Sequence, residues 1–229
     1  MPKKNKKFKE VIETNKLLTS VLVIIFYFAW PIIIQVFRDI FRIDASHSFL
    51  FDIICNVLLA AMLITIYHKD LKEYLKNFNK NKFKYIKTIL LYFLITLVAI
   101  ALTNSFVIDI LKIDHIAEND SALFESFKAY PLLVAFMTVI YYPVVEEIVF
   151  EKTLKDVIKS KWLFIILSGV FFWYYNIAYI EGITYLTIVS SLCYFVGGFL
   201  RALAFHKTNN LYVPVAIKAL YNLFVTIIS

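Results

Sequence analysis

Two adjacent carboxylates, Glu146 and Glu147, close an apolar run that starts at Tyr130 and reads Tyr-Pro-Leu-Leu-Val-Ala-Phe-Met-Thr-Val-Ile-Tyr-Tyr-Pro-Val-Val. An ionisable side chain inside a membrane span costs roughly 2.5–3.5 kcal/mol on insertion scales, so a neighbouring pair marks a candidate functional site. Polar residues are unevenly shared among the apolar runs. Those after residue 130 carry Glu146, Glu147, Asn176, Lys218 and Asn222. The earlier ones carry Gln35, Asn56 and Asn104, with Asp52 and Asp109 only at their ends. The chemistry is therefore expected in the C-terminal half, with the first three helices packing against it and shielding it. A competing, purely structural reading makes Glu147, Glu151 and Lys155, each one helical turn apart, a solvated strip at a helix end. The same reading makes Asn176 a packing amide and Lys218 a cation that snorkels to the surface.

The elements that must hold these residues are membrane helices. The chain is 61% hydrophobic, 17% aromatic and only 18% charged, against roughly 45–50% apolar and about 25% charged in soluble domains. Runs long enough to cross a bilayer as helix fall at Leu17–Phe37, Leu50–Tyr67, Ile89–Leu111, Pro131–Phe150, Trp162–Ile180, Tyr185–Phe205 and Leu211–Ile228. The expected fold class is all-α, a polytopic membrane bundle of about seven transmembrane helices. A basic N-terminus over 1–16 precedes a three-helix region over 17–119 and a four-helix core over 120–229. The first apolar run has no small-residue cleavage site and reads as an uncleaved span.

Charge sets the expected orientation. With the N-terminus inside, 19 of the 24 Lys and Arg lie on the cytoplasmic side, including Lys152, Arg201 and Lys207. Arg38, Arg42, Lys112 and Lys128 lie outside, beside acidic Asp114, Glu118, Asp120 and Glu125, and Lys218 lies within the last span. That bias supports seven spans, N-terminus in. The net charge of +7 is spread in short blocks between apolar runs, which argues against nucleic acid as a partner. His47, His68, His115 and His206 are scattered, with no metal-ligand spacing, and Cys55 and Cys193 read as reduced core thiols. No metal and no cofactor are expected.

Four stretches carry a family likeness. Pro143-Val-Val-Glu-Glu-Ile-Val-Phe-Glu151 resembles the E-E-x-x-x-R motif of the CPBP (Abi) family, which includes CAAX-type prenyl proteases and bacteriocin-processing or immunity proteins. Ser168-Gly-Val-Phe-Phe-Trp-Tyr-Tyr-Asn176 is similar to its F-x-x-x-H segment, with Phe172 retained. Gly197-Gly-Phe-Leu-Arg201 onward to Pro214 resembles its glycine-containing helix and following turn, and Lys218-Ala-Leu-Tyr-Asn222 stands where the family has H-x-x-x-N. The resemblance covers roughly residues 120–228. It implies a glutamate-dependent intramembrane endopeptidase, in which a glutamate and a histidine activate water and a second histidine with an asparagine stabilises the oxyanion.

On that resemblance, Glu146, Glu147 and Asn222 are retained. The motif arginine is replaced by Glu151, and the two motif histidines by Asn176 and Lys218. An amide does not titrate near neutrality as imidazole does, and an ammonium only donates. If the helices assemble as the family implies, Lys218 reaches Glu146 or Glu147 and converts a hydrolytic site into a structural ion pair. Three functions stay open. The favoured one is a catalytically impaired homologue acting as a membrane regulator or a peptide or bacteriocin immunity factor. The second is an active endopeptidase with a reworked site, and the third is an ion-coupled transporter using the Glu–Lys pair. The expected partners are the lipid bilayer and a membrane protein or membrane-inserted peptide, in a bacterial cell membrane.

Overall fold

The computed structural model describes residues 3–113, 129–180 and 182–228; the acidic stretch from Asp114 to Glu125, with His115 and Lys128, lies outside them. Among the described residues the chain forms seven helices: α1 (Lys3–Phe41), α2 (Ala45–Lys80), α3 (Lys82–Ile110), α4 (Pro131–Val157), α5 (Lys161–Ile177), α6 (Tyr185–Thr208) and α7 (Tyr212–Ile228). Five are long and apolar enough to cross a bilayer, whereas α5 and α7 are shorter, at 17 residues each. Seventeen residues sit at the lower end of the spanning range. The architecture is a membrane helical bundle, as the seven apolar runs required.

Local chemistry fixes the helix ends. Asp44 caps α2 by accepting from His47 N at 3.0 Å, and Pro131 opens α4 where its missing N–H costs nothing. Thr184 caps α6 by accepting from Thr187 N at 3.2 Å. Asn209, with φ of 49°, ends α6 in the left-handed conformation that asparagine tolerates, and Asn210 then accepts from Tyr212 N at 3.0 Å to start α7.

Helix α4 is not a uniform α-helix. Wider π-type turns at Met137–Tyr141 and Ile148–Thr153 interrupt it. Pro143 cannot donate to the carbonyl four residues earlier, and the first wide turn precedes it directly. Ser168 on α5 donates to Phe150 O at 2.8 Å, which supplies a partner within the second wide turn. Single π turns inside α-helices are frequent at functional sites. Here the second one follows Glu146 and Glu147 immediately.

The core sits around α4. Val145, Ile148 and Val149 are wholly buried, and they pack with Leu59, Leu63, Phe164, Phe172 and Phe205 from three other helices. Helices α5 and α6 cross closely because Gly169 and Gly198 face each other; a Cβ on Gly198 would lie 3.0 Å from Gly169 Cα. Helix α3 packs on α6 and α7 at the far side of the bundle, and α1 packs along the second half of α4. By contrast, helices α1–α3 leave many leucines and isoleucines outward, such as Leu18, Leu58 and Leu102, as lipid-facing surfaces require.

A polar cluster ties the first two helices to α4. Lys152 Nζ lies 2.8 Å from Asp70 and also contacts Asp156, which Lys16 approaches at 3.1 Å. Ser20 and Tyr67 complete the cluster. Lys152, one of the cations counted on the cytoplasmic side, is only 2% exposed. The cause is plain: α4 continues to Val157, so the residues after Phe150 lie under α1 and α2 and not in a loop.

Candidate functional site

Glu146 and Glu147 are neighbours on α4, yet they turn to different partners. Glu146 accepts from the Lys218 ammonium of α7 in a direct ion pair. Glu147 accepts from Arg201 Nε of α6 at 2.6 Å. All four side chains are buried, with Glu147 at 1% exposure and Lys218 at 5%. Each carboxylate is thus matched by a cation from another helix, which offsets part of the cost of placing charge in the bundle. Glu151, one turn below Glu147, is also buried, and one oxygen of each has no hydrogen-bond partner. The solvated-strip reading of Glu147 and Glu151 is therefore wrong for this fold, because α4 continues past both to Val157 and buries them in the bundle.

These pairs border an open cavity of about 480 Å³ lined by α3 to α7. Glu146, Asn176, Lys218 and Asn222 all line it, and Arg201 joins them. Glu147 does not: it stands behind the wall, holding Arg201. Of the five residues singled out from sequence, four therefore share one cavity, and the fifth supports it from outside.

The level of Asn176 follows from where the helices begin. Lys161 to Asn176 is about 22 Å of straight helix, and Val157 back to Glu146 is about 16 Å. A difference of about 6 Å is within side-chain reach. Asn176 Nδ2 donates to Phe172 O of its own helix at 2.8 Å, and Asn222 Nδ2 donates to Thr138 O at 2.7 Å, joining α7 to α4. Both amide nitrogens thus make bonds that hold backbone.

Phe172 organises the two cations. Its ring centroid lies 4.3 Å from Lys218 Nζ and 4.3 Å from the Arg201 guanidinium carbon, distances at which the ring face attracts a desolvated cation. A Cβ on Gly198 would lie 3.0 Å from Phe172 Cβ, so the bare glycine lets the ring enter this deeply. Hydroxyls and rings of Tyr142, Tyr175, Tyr194 and Tyr221 complete the wall.

Arg201 is the residue that reading the sequence missed. Charge counting places it on the cytoplasmic side, although it lies within the apolar run Tyr185–Phe205, four residues before its end. An arginine inside an apolar run was the available signal. Among histidines, His47 and His68 are exposed and His206 sits at the end of α6; none lines the cavity. Cys193 does line it, and Cys55 is buried elsewhere. Among the described residues no group of three potential metal ligands comes together.

The geometry can be set beside known proteins. The family model for Type II CAAX prenyl endopeptidase Rce1-like proteins matches residues 128–224. No curated protein and no solved structure matches the chain. The matched segment runs from just before α4 into α7, so it contains every helix that contributes a charged residue to the cavity.

Proposed function

We propose, from the match of residues 128–224 to the Type II CAAX prenyl endopeptidase Rce1-like model and from the buried ion pairs, that this multi-pass membrane protein of the CPBP family works by binding and not by proteolysis. The cavity receives a membrane-embedded polypeptide, and the protein acts as a membrane regulator or a peptide immunity factor. One observation carries the reading: the Lys218 ammonium, which on the sequence resemblance replaces a motif histidine, is bound to Glu146. A general base needs a lone pair within reach of the proton that it removes. An ammonium bound to a carboxylate supplies none and holds the carboxylate in a fixed contact. The bilayer is the protein's environment on this reading, with the N-terminus on the cytoplasmic side of a bacterial membrane.

The test is cleavage. The purified protein in lipid vesicles is incubated with a hydrophobic reporter peptide and with a prenylated one, and the products are read by mass spectrometry. No fragment should form that depends on Glu146. Fragments produced by the wild type and lost in Glu146→Gln would establish an endopeptidase and end the binding reading. Asn176→His with Lys218→His and Glu151→Arg asks whether the scaffold supports hydrolysis once the family residues return.

A further inference from the structure

The cavity wall has a charge pattern that the two buried pairs do not reveal when counted alone. Three charged side chains line it: Glu146, Lys218 and Arg201. Glu147 and Glu151 lie behind that wall, each 1% exposed. What the cavity meets is therefore two cations and one anion. Arg201 is 5% exposed and spends its Nε on Glu147. Its terminal nitrogens have no hydrogen-bond acceptor among the described residues and form part of the cavity surface. A guanidinium held from behind in this way presents a rigid, planar pair of donors. Lys218 adds to it, since an ammonium has three donors and Glu146 takes one.

The space in front of the guanidinium is kept open by Gly197. A Cβ there would lie 3.1 Å from Arg201 Nη1, tight enough that the guanidinium would have to move. Phe172 fixes both cationic heads on one ring. Donors that are planar, paired and desolvated fit a carboxylate better than a spherical anion, because two parallel N–H···O bonds form at once. The remaining walls carry amides and hydroxyls, at Asn104, Asn222, Thr138 and Tyr142. Unwound backbone within a membrane needs such partners, and a fatty acyl tail has no use for them.

We infer that the cavity captures the C-terminal carboxylate of a membrane-embedded polypeptide, with the Arg201 guanidinium and the Lys218 ammonium as its joint counter-ions. The inference rests on the binding reading above and adds the group that is recognised. Arg201 and Lys218 are binding residues here, and Gly197 is the residue that keeps the approach clear.

The experiment uses the full chain in nanodiscs and a fluorescent Leu/Ala peptide of about 20 residues, made once with a free C-terminal carboxylate and once amidated. The free acid should bind about 10- to 100-fold tighter than the amide, the range that charge-assisted hydrogen bonds carry. Arg201→Lys should collapse that preference, and Gly197→Ala should reduce it. A thermal melt of Gly197→Ala close to wild type shows that the fold is intact. Equal affinity for acid and amide would overturn the inference and leave the binding reading standing. Binding of neither peptide would defeat both. Oleate displacing peptides that bind alike would reassign the carboxylate to a lipid and overturn the polypeptide assignment.

Discussion

Changing Lys218 to Met isolates the ion pair on which the site depends. Methionine keeps most of the stem volume and removes the ammonium, so Glu146 is left 7% exposed with its charge partner gone. Breaking a buried pair by removing one partner costs about 3–5 kcal/mol, or between about 100- and 4,000-fold in the folding equilibrium. Glu146→Gln with Lys218→Met removes both charges, and should recover to within about 2 kcal/mol of the wild type, because buried pairs are often replaceable by neutral groups. The assay is unfolding in mixed micelles with increasing SDS, followed by tryptophan fluorescence, for both single variants and the double. The coupling between the two sites should be at least about 2 kcal/mol. A Lys218→Met protein as stable as the wild type would refute the reasoning, since it would mean that Glu146 does not depend on the ammonium.

Other perturbations test how the site is positioned. Gly198→Ala puts a Cβ 3.0 Å from Gly169 Cα and 3.0 Å from Phe172 Cβ, so α5 and α6 must separate; a loss of about 1–3 kcal/mol is expected in the same unfolding assay. Ser168→Ala leaves Phe150 O without its 2.8 Å donor inside the wide turn of α4, and should cost about 1–3 kcal/mol. Lys152→Met releases Asp70 and Asp156 together, though Lys16 still serves Asp156. Its cost should fall below the about 3–5 kcal/mol of a fully buried pair, and limited proteolysis should then cut α1 and α2 faster than α5 and α6.

Much of this fold was legible because the bilayer simplifies the problem. Each helix must satisfy its own backbone, so seven apolar runs became seven helices, with α5 and α7 ending shorter than their runs suggested. The run at Trp162–Ile180 overshot because α5 ends at Ile177 and the chain turns at Ala178 and Tyr179. The grouping of Glu146, Asn176, Lys218 and Asn222 as candidate site residues rests on ordered motifs and not on periodicity. What escaped was pairing across helices. Charge counting places a residue on a side of the membrane and says nothing of its partner, so Lys152 and Arg201 carry no pairing in the sequence. In the structure Lys152 meets Asp70, 82 positions earlier in the chain, and Arg201 meets Glu147, 54 positions away. The wide turns of α4 had no sequence signal beyond Pro143, and it is the second of them that buries Glu151.

The most direct measurement is a heteronuclear distance in lipid bilayers. Protein labelled with ¹⁵N at lysine side chains and ¹³C at glutamate carboxyls is studied by solid-state NMR dipolar recoupling, with Lys218→Met used to assign the signal. The expected result is strong recoupling between Lys218 Nζ and the Glu146 carboxyl, at a separation of about 4 Å or less, that vanishes in the variant. Absence of that contact, with Lys218 instead reacting readily with a water-soluble amine reagent, would contradict the ion pair and the impaired site built on it.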